Sequence, residues 1–145
     1  MPEALSSPTP LFTNAAGAVL AHPAGYAIVR YQNGPWQAAD LAALLTHLGQ
    51  LLLQRDWHYC LADASHMPTL SAESKAWLEK NWLGTSALRP QPLHMALVQP
   101  GEVFSRLAVA QMQAQNHGST HYTYFSDEAA AHEYLRQQLA KPKEY

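Results

Sequence analysis

Asp63-Ala64-Ser65-His66-Met67 brings an acid, a hydroxyl, an imidazole and a thioether together within five consecutive positions of the 145-residue chain. These are the ingredients of a small hydrolase, with Ser65 as nucleophile, His66 as base and Asp63 as the group that orients it. A serine nucleophile also needs an oxyanion hole and is commonly raised on a tight, glycine-flanked elbow. No glycine neighbours Ser65, and no G-x-S-x-G occurs in the chain. The same residues make ordinary turn chemistry, in which Asp63 and Ser65 satisfy backbone donors. The expectation is that none of them is catalytic.

The eight histidines are numerous for this length, but their spacing is not that of a metal site. His117 and His121 stand four apart, yet Gly118-Ser119-Thr120 ends the helix that would aim both rings at one ion. His58 and His94 fall in apolar strand-like runs, and His22, His47 and His132 are isolated. No two-cysteine or His-Glu motif accompanies them, so neither a metal nor a cofactor is expected. Cys60 is the only cysteine and can form no internal disulfide. It lies inside an apolar run, where a thiol packs as a small hydrophobe, and not at a helix start where a thiolate is activated.

The elements that position these residues follow from periodicity. Met1 to Asn14, with Pro2, Pro8 and Pro10, reads as a flexible leader. Gly17–His22 and Tyr26–Tyr31, separated by Pro23-Ala24-Gly25, read as a β-hairpin. Between Trp36 and Gln54, Leu41, Leu44, Leu45, Leu48, Leu51 and Leu52 recur at three and four, which is a helix with one apolar face. Trp57 to Ala62 reads as a buried strand ending at Asp63. Ser71 is placed to cap a helix from Ala72 to Leu83, with Glu73 in its first turn. Leu93 to Gln99 is a third buried run, Glu102 to Asn116 a third helix, Thr120 to Phe125 an aromatic strand, and Ser126 caps a last helix.

Strands alternating with helices imply right-handed crossovers and a parallel core. The expectation is an α/β domain over residues 15–140, followed by a tail at 141–145. It would hold a five-stranded, mostly parallel sheet with an opening β-hairpin, and four helices. Trp57 to Ala62 and Leu93 to Val98 would be central and covered on both faces.

Composition narrows the function classes. Hydrophobic residues make up 48% and charged residues 14% of the chain, a globular balance. Nine basic against eleven acidic residues, with the basic ones scattered, supply no face for nucleic acid. The start carries no secretory pattern and no apolar stretch is long enough for a membrane span, so a cytoplasmic location is expected.

The order of elements and several local patterns resemble the STAS-like domains of anti-sigma-factor antagonists, and more narrowly the bacterial SpoIIAA-like branch. The resemblance rests on Cys60-Leu61-Ala62-Asp63-Ala64-Ser65-His66-Met67, a strand ending in aspartate before a short loop and a methionine. It rests also on a helix with Trp77 and Trp82, on the small apolar strand Met95-Ala96-Leu97-Val98, and on Tyr124-Phe125-Ser126-Asp127-Glu128-Ala129 leading to Tyr134-Leu135. It covers about Gly17 to Leu139. What it implies is a non-enzymatic domain that binds a protein or a small ligand. Its regulatory members are phosphorylated on a serine at a helix start, for which the positions here are Ser71 and Ser74. The family pattern sets an aspartate directly before that serine, whereas Leu70 precedes Ser71.

Sites in open α/β sheets gather at the carboxyl ends of the parallel strands. The candidate ligand- or partner-binding rim is therefore Asp63, Ser65, His66, Met67 and Glu102. A small apolar-ligand carrier, opening between the leucine helix and the Trp77 helix, is the alternative to the interaction module. A second candidate surface is the helix bearing Trp77 and Trp82. Residues five apart on an α-helix differ by about 140°, so one narrow core stripe does not hold both indoles. Trp82 is expected to face outward and to be covered by a second protomer in a homodimer.

Overall fold

The computed structural model describes residues 8–68, 70–83, 90, 92–99 and 120–140. The strands are β1 (Thr9–Asn14), β2 (Gly17–His22), β3 (Tyr26–Tyr31), β4 (Tyr59–Asp63), β5 (Leu93–Val98) and β6 (Thr120–Phe125). The helices are α1 (Ala38–Arg55), α2 (Ala72–Leu78, continuing as a π-turn over Glu79–Leu83) and α3 (Glu128–Ala140). All six strands form one sheet in the order β1-β2-β3-β4-β5-β6. The pairs β1–β2 and β2–β3 are antiparallel, and every later pair is parallel.

Among the described residues the sheet thus has six strands where five were expected. The additional one, β1, lies in the stretch read as a flexible leader. Its first three residues are exposed, and its register with β2 shifts between Pro10 and Phe12. Such a segment has no hydrophobic alternation for a sequence reading to detect. Asn14 secures it instead. Its Oδ1 accepts from the Ala16 amide at 2.9 Å, and its Nδ2 donates to the Asp40 carbonyl at 2.8 Å. The helix expected over Glu102 to Asn116, and with it Glu102, lies outside the described residues.

Both sheet faces are covered, and the strands alternate between them with period two. Val19, Ala21, Ala27, Val29, Cys60, Ala62, Met95 and Leu97 point to one side, against the leucine stripe of α1 and against Leu78 and Trp82 of α2. Tyr26, Ile28, Leu61, Ala96 and Val98 point to the other, against Ala131 and Leu135 of α3. Strands β4 and β5 are interior and buried along their centres, as the apolar runs Cys60-Leu61-Ala62 and Met95-Ala96-Leu97-Val98 require. Cys60 is fully buried, and burial pushes its thiol pKa up.

The β2–β3 turn is the expected one. Gly25 adopts φ 103°, and its amide donates to the His22 carbonyl at 3.0 Å. This left-handed glycine closes a three-residue hairpin loop. Helix α1 starts with a capping box, in which the Gln37 amide donates to Asp40 at 2.9 Å.

The two tryptophans do not divide as an ideal α-helix divides them. Trp82 is 3% exposed and belongs to the core, and Trp77 packs partly buried against the same cluster. The reason is the π-turn at Glu79–Leu83. Bonding from i to i+5 widens the turn and brings residues five apart towards one side. Trp82 is therefore covered by its own chain and not outward-facing.

Candidate functional site

The alternation that fills the core also carries charge to one end of it. On the α3 face, Ile28 and Leu61 are register partners in the buried row. Two residues later on the same face come Arg30 and Asp63, again register partners, at the carboxyl ends of β3 and β4. Ala18 of β2 lies opposite Arg30 on its other side, and Val98 of β5 lies beside Asp63. The sheet thus ends in a row that is apolar at both flanks and doubly charged in the middle. A cleft of about 680 Å³ opens there, lined by Ala18, Arg30, Tyr31, Gln32, Asn33, Asp63, His66 and Glu128. Its size falls in the range of roughly 300–1,000 Å³ usual for small-molecule sites.

Neighbouring opposite charges on paired strands commonly bond to each other. Here each has a separate partner. Arg30 Nη2 donates to Glu128 Oε1 at 2.5 Å, a contact that spans the cleft from the sheet to the first residue of α3. Asp63 Oδ1 accepts from the Ser65 amide at 3.1 Å and from the Ser65 hydroxyl at 2.6 Å. One edge of each charged group is consequently fixed, and the other remains available. Arg30 Nε is shut off from solvent without a hydrogen-bond partner, and no bond other than that to Glu128 involves this guanidinium among the described residues. Leaving a donor desolvated and unsatisfied costs about 1–3 kcal/mol, so this half-exposed arginine is held in a position that its own chain does not fully compensate.

Glu128 ties the cleft to a second cluster. Its Oε1 also accepts from His132 Nε2 at 3.1 Å, one helical turn along α3. With that nitrogen carrying the proton, Nδ1 of the neutral ring accepts from the Tyr26 hydroxyl, which contacts it closely. The His22 ring stacks on Tyr26 with centroids 4.4 Å apart, and its own Nδ1 accepts from the Ala24 amide at 3.0 Å. Burial, followed by the charges of His132 and Arg136, lowers the His22 pKa from its ordinary value. Burial raises that of Tyr26 to about 12, against a smaller lowering by Arg136 and with a further rise from Glu128.

The opposite end of the α3 face is also polar, but self-contained. Tyr59, His94 and His121 sit side by side on β4, β5 and β6. Their rings stack in sequence at 4.9 and 5.2 Å. Stacked imidazoles direct their nitrogens along parallel planes and not towards a shared point. Among the described residues no group of three or more metal-ligating side chains converges.

Of the residues singled out by sequence, Asp63 and His66 line the cleft. Ser65 acts on Asp63 and commits its hydroxyl proton to that carboxylate. Met67 packs against the core below the loop. Ser71 caps α2, accepting from the Ser74 amide at 3.1 Å, and its hydroxyl donates to Ser74 Oγ. Sequence reasoning missed Arg30, Gln32, Asn33 and Glu128. The available signal was the alternation in Tyr26–Tyr31, which places Arg30 in step with the inward Tyr26 and Ile28 and two residues beyond the last of them.

No family model, no curated protein and no solved structure matches the chain.

Proposed function

We propose that this protein is a non-enzymatic binding module of the STAS-like α/β kind that holds a small polar ligand in the cleft at the carboxyl ends of β3 and β4. The observation that carries the reading is Arg30, a half-exposed guanidinium at the end of β3 beside Asp63, bonded among the described residues to Glu128 alone. A half-exposed guanidinium with donors to spare favours an occupant that brings an acceptor. The parallel strands β3 to β6 following one another in chain order, after an antiparallel opening, support the STAS-like part of the reading. Arg30, Asp63 and Glu128, three charged side chains at one cleft, favour a polar occupant over an apolar cargo. The Ser65 hydroxyl bonded to Asp63 favours a positioning role for that loop over a nucleophilic one.

The test is differential scanning fluorimetry of the full chain against separate panels of sugars, carboxylic acids, amino acids and nucleosides. A compound present at a hundred times its Kd stabilises by about 2.7 kcal/mol, a shift that such melts resolve. The expected result is stabilisation by one panel that Arg30→Gln abolishes while the far-ultraviolet circular dichroism stays unchanged. Stabilisation by none, or equal stabilisation of Arg30→Gln, would overturn the reading.

A further inference from the structure

We infer that the occupant of the strand-end cleft is a small zwitterion of the α-amino-acid class, its carboxylate on Arg30 and its ammonium on Asp63. The inference rests on the cleft being a binding site and specifies the chemistry that fits it. Arg30 and Asp63 are register partners on the same face, so their anchor points are separated by one strand spacing, about 4.8 Å. They nevertheless form no ion pair with each other among the described residues. Glu128 draws the guanidinium to one side, and Ser65 holds Asp63 Oδ1. Two opposite charges are thereby kept apart next to a common space, each with its unused edge in place before a ligand arrives. Such preorganisation is what spares a binding site the cost of ordering its own groups.

The charge balance of the cleft selects among ligand classes. Arg30 contributes one positive charge, and Asp63 and Glu128 contribute two negative ones. A plain anion on Arg30 would lie against both carboxylates, and a plain cation on Asp63 would lie against the guanidinium. A zwitterion turned carboxylate to arginine and ammonium to acid meets an opposite charge at each end. Gln32 and Asn33 flank the same space with amide groups that both donate and accept.

The experiment uses wild-type protein and three probe sets: the proteinogenic L-amino acids, their N-acetyl derivatives and their C-terminal amides. Fluorimetry identifies the best free amino acid, and calorimetry measures it against its two blocked forms. Acetylation and amidation should each weaken binding at least tenfold. Arg30→Gln should close the gap between acid and amide, and Asp63→Asn the gap between free amine and N-acetyl form. A blocked form that binds as well as the free amino acid would overturn the inference. Arg30-dependent binding of some other polar molecule, with no amino acid binding, would overturn it and leave the cleft reading intact. If no small polar molecule binds at all, both fall.

Discussion

Replacing Gly17 by alanine puts a methyl group where the sheet has no room for one. Gly17 opens β2 with φ 157°, and a Cβ built on it would stand 1.9 Å from the Arg30 carbonyl oxygen, 2.9 Å from the Arg30 carbonyl carbon and 3.1 Å from Tyr31 Cα. All three neighbours are backbone, so no side chain can rotate away. The contact must open from 1.9 Å to beyond 3.0 Å, a large movement against an inter-strand spacing of about 4.8 Å. β3 cannot simply retreat, because its other edge is bonded to β4 through Arg30 and Asp63. Forcing extra volume into a packed site costs about 1–3 kcal/mol. Holding a residue with a Cβ in a region that glycine alone populates costs about another 1–3 kcal/mol. The expected loss for Gly17→Ala is therefore about 4 kcal/mol, and a drop in Tm of about 12 °C for a chain of this size.

The control is Gly25→Ala. Gly25 also has positive φ, at 103°, but a Cβ there would meet nothing within 4 Å. It carries the backbone cost alone, about 1–3 kcal/mol. Urea and thermal unfolding followed by circular dichroism measure both variants. The difference between them isolates the clash, and it should be about 1–3 kcal/mol. Equal losses in the two variants would refute the steric argument. Because the displaced carbonyl belongs to Arg30, Gly17→Ala should also weaken whatever the cleft binds, whereas Gly25→Ala should not.

Trp82→Ala should cost about 3–5 kcal/mol of unfolding free energy and Trp77→Ala distinctly less, since only the first indole is fully within the core; urea titrations giving the reverse order would refute the shared-side account of the π-turn. The depressed His22 pKa means that the unfolded chain binds more protons just below the ordinary value of 6.5. Stability should therefore fall as pH drops through that window, and His22→Asn should flatten the slope in melts taken between pH 7 and pH 5. Tyr26, raised to about 12, holds its proton more tightly when folded than unfolded. Stability should then decline as pH rises from about 10 to 12, and Tyr26→Phe should remove part of that decline, with phenolate absorbance reporting the titration directly.

Much of the sheet was legible because its signal is local. The runs Gly17–His22, Tyr26–Tyr31 and Thr120–Phe125 announce strands through composition and turn residues, and the structure has strands with those bounds. The leucine spacing of α1 is equally local and appears as its buried stripe. What escaped depended on information no short window holds. β1 is an exposed segment held by pairing and by Asn14, not by its own pattern. The positions of Trp77 and Trp82 followed from a change of helical pitch that rotation by about 100° per residue does not anticipate. The Arg30–Glu128 contact joins residues 98 apart, and only the crossing of the whole sheet brings them together. Asp63 was legible as a strand-end acid; its register partner Arg30 on β3 was not.

The two ends of the α3 face show why the cleft, and not the histidine row, is the place to look for a ligand. Both rows interrupt a sheet that is otherwise apolar, and both hold several polar side chains. At the amino end, Tyr59, His94 and His121 cover one another ring on ring, and His58 is held between the Pro92 carbonyl at 2.6 Å and the Asp56 carboxylate at 3.0 Å. Burial, with the neighbouring charges of His121 and His58, lowers the His94 pKa, which favours the uncharged, stackable ring. That row is packed ring against ring. At the carboxyl end, β3 and β4 present two charges that do not meet, one bonded only towards α3 and the other only towards its own loop. A polar group at a strand end is unremarkable where neighbours complete it. It becomes a candidate site where the fold holds it still and leaves part of it unanswered, as it does Arg30.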